Sequence, residues 1–301
     1  MNRLEAMAVF VAAAESGSLS AAARQLSMPL PTVSRKVSEL ESHLAARLFV
    51  RSTRKLALSE AGEAYLGACK RILEEVGNAE RAAAGEYRAP RGELTVTAPV
   101  VFGRLILLPI VTAFLQAYPE VDLQLVLGDR NLNLADDHVD VALRIGALPD
   151  SSLRATQLGE VRTVVCASPE HFRRHGGLAT PDDLASHPCV NFSGLKNAGR
   201  WNFSAGKKNY SIAVRPRLQV NTAEAAIDAA IAGLGVTRVL GYQIASACAA
   251  GTLSIALQDF EPPPLPVSLV FMGQGPLPLK LRAFLDFAAP RLKERLQQGS
   301  T

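Results

Sequence analysis

The chain has 301 residues, 48% hydrophobic and 20% charged, with 32 Lys and Arg against 28 Asp and Glu. That composition excludes a disordered chain and fits a soluble protein of two or three domains. The net charge of +4 sits at one end: residues 1–58 hold eight Lys and Arg against four Glu, and the remainder balances. Such a basic end suits a polyanion partner, or is simply a solvated surface.

The opening segment MNRLEAMAVFVAAAESG breaks its apolar run with Arg3, Glu5 and Glu15 and lacks a cleavage-type ending, so no secretory signal is expected. Residues 4–15 read as a helix with Leu4, Met7, Val11 and Ala14 inward and Gly17 as its stop. A second helix starts at Ser18 as N-cap, with Leu19, Ala22, Ala23 and Leu26 at helical spacing. After the turn Ser27-Met28-Pro29-Leu30, Pro31 suits the first position of a third helix. There Val33, Val37, Leu40 and Leu44 form one apolar stripe, and Arg35, Ser38 and Ser42 lie opposite, flanked by Thr32, Ser34 and Glu39. A helix with a buried stripe and a short Arg-bearing outer face can enter the DNA major groove.

Residues 48–50, a basic tip at 51–55 and residues 56–58 read as strand, tip and strand, so residues 1–58 are expected to form a winged helix-turn-helix. Thr32, Ser34 and Arg35 are the candidates for base and phosphate contacts, since Arg pairs bidentately with guanine. Arg51 and Arg54 at the tip suit phosphate or the minor groove, and Lys36 and Lys55 are supporting charges.

Residues 59–87 read as a long helix capped by Ser59, and Ala89-Pro90-Arg91-Gly92 closes a linker of residues 59–90 as a hinge. Tyr65, Cys69, Ile72, Val76 and Ala79 recur at alternating four- and three-residue steps, a heptad seam. The seam either pairs with a second copy or packs on its own domain.

From Glu93 on, strands at 94–98, 121–127, 141–145, 162–167, 189–192, 201–203, 210–214, 218–220 and 267–272 alternate with helices at 104–117, 133–139, 222–232, 241–249 and 279–298. This predicts an α/β domain over residues 91–301 with largely parallel sheets. Its length suits two lobes, one of residues 91–161 and 266–301, the other of residues 162–265, with Pro262-Pro263-Pro264 as the return crossing. Ligands bind open α/β sheets at the carboxyl ends of parallel strands. Ala98, Pro99, Val100, Arg144, Gly146, Asn221 and Thr222 are therefore the effector candidates. Arg144 meets either an anionic ligand or a structural acid, Thr222 is also a possible N-cap, and Trp201 and Phe203 suit the core better than the cleft.

Enzymatic and metal readings find little. Ser-x-x-Lys begins at Ser52, Ser193 and Ser204 without companion motifs. His171 and His175 lack the Glu of a zinc protease, and Gly233-x-Gly235 lacks the third glycine of a dinucleotide loop. Cys69, Cys166, Cys189 and Cys248 are widely spaced and read as reduced thiols. No run approaches the roughly 18 uncharged apolar residues of a membrane span. No enzyme activity, cofactor or metal is expected. The rival reading is a solute-binding protein or α/β enzyme with an unrelated helical cap.

The segment AAARQLSMPLPTVSRKVSELESHLAARLFVRSTRKLALSEAG resembles the signature of LysR-type transcriptional regulators. The stretches LTVTAPVVFGRLILLP, VALRIGALPDSSL, TPDDL and GLGVTRVLGYQIA extend the resemblance over essentially the full length. It implies an α plus α/β fold: a winged helix-turn-helix, a long linker helix and a two-lobed regulatory domain similar to periplasmic binding proteins. It further implies a cytoplasmic regulator of double-stranded DNA, dimeric through the linker and assembled as a homotetramer. A small effector between the lobes would change DNA bending, RNA polymerase would be a further partner, and no membrane would be involved. The chain departs from the usual pattern at Met28-Pro29-Leu30-Pro31, where polar residues are common, and at Ala45, where Gly is usual. Its loop Thr97-Ala98-Pro99-Val100-Val101 lacks a serine-rich anion cradle.

Overall fold

A computed structural model describes residues 2–51, 56–83, 89–130, 132–149, 153–194, 199–206, 208–273 and 277–298. The chain divides into two compact units, Met1–Arg88 and Ala89–Thr301.

The first unit contains α1 (Arg3–Ser16), α2 (Leu19–Gln25), α3 (Leu30–Leu44), β1 (Phe49–Arg51), β2 (Leu56–Leu58) and α4 (Glu60–Ala83). Gly17 ends α1 at φ 62°, and the Ser18 hydroxyl caps α2 by accepting the Ala21 N–H at 3.4 Å. α3 begins one residue before Pro31, with Pro29 as N-cap, and ends at Ala45 in the left-handed region at φ 51°. Phe10, Val33, Val37, Leu40, Leu48 and Cys69 share one core. β1 and β2 pair antiparallel, Phe49 opposite Leu58 and Arg51 opposite Leu56. Ser59 starts α4 by accepting the Gly62 N–H at 3.0 Å. A Cβ on Gly62 would lie 2.0 Å from the Leu48 carbonyl oxygen, so only glycine permits this approach.

The second unit opens with β3 (Gly92–Ala98), α5 (Val100–Phe102), a π turn (Gly103–Leu107) and α6 (Leu108–Ala117). Then follow β4 (Val121–Leu127), β5 (Val141–Ile145), β6 (Leu153–Val161), β7 (Thr163–Ala167), α7 (Pro169–His175), β8 (Cys189–Phe192), β9 (Arg200–Ala205), β10 (Lys208–Ala213) and β11 (Pro216–Val220). The unit closes with α8 (Ala223–Ile231), β12 (Val236–Leu240), α9 (Gly241–Ala249), β13 (Ser254–Ala256), β14 (Leu265–Met272) and α10 (Leu279–Gln298). The first sheet has the order β4-β3-β5-β14-β6 and the second β11-β8-β12-β7-β13.

Both sheets are mixed, which corrects the expectation of largely parallel ones. β3, β4 and β5 run parallel and β14 antiparallel to β5 and β6. β8, β11 and β12 run parallel and β7 antiparallel to β12 and β13. The chain steps between sheets directly, from β6 to β7 at Arg162 and back to β14 past Pro262-Pro263-Pro264, so these strands lack the helical crossover that parallel pairing needs. Arg162 clasps Glu261 at the two crossings with bonds of 2.8 and 2.7 Å.

Two further expectations change. Residues 133–139 form turns rather than a helix: Asp137 accepts the Asn133 N–H at 2.7 Å and His138 sits at φ 55°. Val100–Ala117 is long and apolar enough to span a membrane by composition, although it contains Arg104. Its Val101, Phe102, Leu107, Ile110, Val111 and Phe114 are buried, and Phe114 meets Phe284 edge-on at 5.2 Å. Trp201 and Phe203 are buried with Val236 in the second sheet's core. Val101 also joins the two sheets by packing with Val190, Phe192, Ala223 and Ala226.

Candidate functional site

The stripe Val33, Val37 and Leu40 turns the opposite face of α3 outward. Arg35 projects there with its side chain 67% exposed, held loosely to Glu39 at 3.6 Å. Such an exposed pair contributes little and leaves the guanidinium available. Thr32 and Ser34 are half-buried in the first turns. Lys36 lies elsewhere: its ammonium sits 2.7 Å from Glu5 with the side chain 14% exposed. Its charge is held within the domain, which removes it from the exposed cations beside Arg35. Arg51 ends β1, whereas Arg54 and Lys55 at the wing tip lie outside the described residues.

Glu41 fixes the wing against α3, a role the sequence reading missed. It is buried, and its Oε1 accepts the Leu48 and Phe49 N–H groups at 2.8 and 3.2 Å. Its Oε2 accepts from Arg47 at 3.3 Å. A lone carboxylate near the end of α3 gave no periodic signal.

The heptad seam on α4 divides. Cys69 is fully buried and Tyr65 packs into the same core, its ring 5.8 Å from Phe10. Burial pushes the Cys69 thiol up to about 11 and, with Cys69 beside it, the Tyr65 phenol up to about 12. Tyr65 and Cys69 therefore serve their own domain, correcting their place in a dimer seam. Ile72 is 40% exposed, Ala79 is exposed and Val76 half-buried, so this later part of the stripe stays uncovered.

Between the sheets of the second unit lies a cavity of about 490 Å³. Ala98, Pro99, Arg144 and Gly146 line it, while Val100, Asn221 and Thr222 do not. The Val100 N–H instead donates to Asp129 at 3.2 Å, and Thr222 caps α8 by accepting the Ala225 N–H at 3.4 Å. Arg144 meets no acid among the described residues; it donates to the Leu132 carbonyl at 2.6 Å. Asp129, Arg130, Asn202, Arg238 and Tyr242 also line the cavity and were missed from sequence. The signal for Arg238 was a charge inside the apolar run Val-Thr-Arg-Val-Leu of β12. It is 7% exposed, its Nε has no partner among the described residues, and its guanidinium carbon stands 5.6 Å from the Trp201 ring centre. Burial lowers it to about 10, still a cation at neutral pH.

His171 and His175 stack at 4.4 Å, and His171 Nε2 lies 3.1 Å from His187 Nδ1. Among the described residues no group of three or more His, Cys, Asp or Glu is placed to hold a metal ion.

Two family models match the chain. One, described as bacterial regulatory helix-turn-helix protein, lysR family, covers residues 4–63, and the LysR substrate binding domain covers residues 88–293. An HTH-type transcriptional regulator of Xanthomonas campestris is 37% identical over 94% of this chain and 84% of that protein. The solved structure of CrgA, a LysR-type transcriptional regulator from Neisseria meningitidis, is similar at 33% identity and a TM-score of 0.61, covering 97% of this chain and 98% of CrgA. The full-length structure of AphB, the Vibrio cholerae virulence activator, is similar at 26% identity and a TM-score of 0.61, covering 95% and 98%.

Proposed function

This chain belongs to the LysR family of bacterial transcriptional regulators, and on that premise we propose that α3 reads its operator through Arg35, with Thr32 and Ser34 beside it. The observation that carries this is the exposed Arg35 guanidinium opposite the fully buried Val33, Val37 and Leu40. Arg51, Arg54 and Lys55 of the wing add phosphate contacts. The unit of residues 1–58 is the DNA reader, residues 59–90 the linker, and residues 91–301 the sensor with lobes of residues 91–161 plus 266–301 and 162–265. Ile72, Val76 and Ala79 pair the linkers of two copies, and the assembly in the cytoplasm is a homotetramer. A small effector occupies the cavity between the sheets, and the regulator acts on RNA polymerase at its promoters. No catalytic step is assigned to it.

The test is a gel-shift titration at fixed salt with Arg35→Ala. Loss of one bidentate guanine contact removes about 1–3 kcal/mol of discrimination, a weakening of about fivefold to 140-fold. An unchanged operator affinity with an intact oligomer refutes the assignment.

A further inference from the structure

We propose that Arg238 is the anchor for the carboxylate of a small organic acid bound in the cavity between the two sheets. This rests on, and deepens, the reading of that cavity as the effector site.

A buried guanidinium is ordinarily paired, because burying an unpaired charge is expensive. Among the described residues Arg238 has no carboxylate partner, its Nε is unsatisfied, and the Trp201 ring faces it. The alternation of β12 explains its position. Val236 and Leu240 share its face and enter cores on either side, while Val239 enters a separate core behind the sheet. Arg238 is left between them at the cavity wall. Among the described residues the cavity also holds Arg130 and Arg144 against one acid, Asp129, so this lining is net cationic. This is the arrangement expected of a site whose missing partner is an anion.

The chemistry favours a carboxylate over a phosphate. The N–H at the start of α5, where a phosphate would find backbone donors, is already occupied by Asp129. The other walls include Pro99, Phe192, Leu240, Tyr242, Pro263 and Leu265, which suit an apolar body behind one flat anionic group. A carboxylate matches the guanidinium fork in two parallel bonds.

The experiment uses the full-length protein, with sodium benzoate, benzamide and inorganic phosphate as probes, read by calorimetric titration and thermal unfolding. Wild type is expected to bind benzoate and not benzamide. Arg238→Met should weaken benzoate by about tenfold to a hundredfold. Without ligand it should unfold at a higher temperature than wild type, because an uncompensated buried charge has been replaced by an apolar chain of similar length. Ala147→Trp, at the exposed rim on the first sheet's side, separates the two claims. Benzoate binding lost in Ala147→Trp but intact in Arg238→Met leaves the cavity standing and overturns the anchor. Binding intact in both variants overturns the cavity reading and the anchor with it. No benzoate binding to wild type, tighter binding of phosphate, or a lower unfolding temperature for Arg238→Met also overturns the proposal.

Discussion

Replacing Glu41 tests how the wing is held on α3. In Glu41→Ala the N–H groups of Leu48 and Phe49 lose their common acceptor inside a buried junction. A hydrogen bond to a charged group contributes about 1.5–3 kcal/mol. Because one oxygen serves both donors, the loss should be about 3 kcal/mol rather than twice that. The Arg47 bond adds little, since that side chain is 79% exposed. Glu41→Gln keeps a neutral oxygen in the same place and should cost about 1 kcal/mol. Hydrogen exchange of the full chain, read in peptides covering residues 46–51, distinguishes these cases. The Ala variant should exchange there roughly a hundredfold faster, by the tenfold-per-1.4 kcal/mol rule, and the Gln variant about fivefold faster. Equal effects of Ala and Gln would mean that charge, not acceptor geometry, holds the wing. Unchanged exchange in Glu41→Ala would refute the reasoning altogether.

Ala45→Gly should stabilise the first unit by about 0.5–1 kcal/mol, the left-handed penalty of an L-residue less the greater unfolded-state entropy of glycine. Ala45 is exposed at φ 51°, so no packing is lost, and a lower urea midpoint would contradict this. The histidine cluster should make the second unit acid-sensitive. Burial, then the charges of His175 and His187, holds His171 below 6.5; burial, then the charge of His175, holds His187 there too. The unfolded chain then takes up protons that the folded one refuses, so their contribution is complete above about pH 6.5 and is lost as pH falls toward the folded values. Asp183 titrates below this window, because the Thr180 and Ala179 N–H groups hold its carboxyl low. The urea midpoint followed by fluorescence of Trp201, the chain's single tryptophan, should fall with acidification through that range, and fall less in His187→Gln. A midpoint constant across it would refute the account.

The elements with a strong period were legible in the sequence. The α3 stripe and the Ser18 cap act through neighbours three or four residues apart, and local spacing records them. Strand direction is set by distant pairing. β14 joins β5 and β6 only after the excursion through the second sheet, so its antiparallel sense left no local trace. β6 went unread because only Leu158 and Val161 of Leu153–Val161 are buried, too few to make an alternating pattern. The α4 seam illustrates a different limit. Tyr65 and Ile72 obey one period, yet the first faces its own core and the second is exposed. Periodicity identifies an apolar face and not what covers it. The cavity was half legible for a similar reason. Its first-sheet loops follow strand ends, whereas Arg238 comes from the middle of a strand, where a charge reads as an exception rather than as a site.

The placement of the arginines bears on how a ligand would act. A ligand shifts an equilibrium only through unequal affinity for its states. Arg144 belongs to β5 of the first sheet and Arg238 to β12 of the second, so an acid touching both senses their separation. The sheets are already tied by the Arg162–Glu261 clasp at the crossings and by Val101 in the second sheet's cluster. Opening and closing of the cavity walls is a motion that would leave these ties intact. An anion drawing Arg238 toward the first sheet would favour the closed arrangement. To move that balance from one in a hundred to ninety-nine it must prefer the closed state by about 5.5 kcal/mol. One charge-assisted fork supplies part of this, and the apolar walls must supply the rest. An effector at this site therefore needs a hydrophobic body as well as a carboxylate, and acetate, which has the anion without the body, should occupy the cavity without switching the protein.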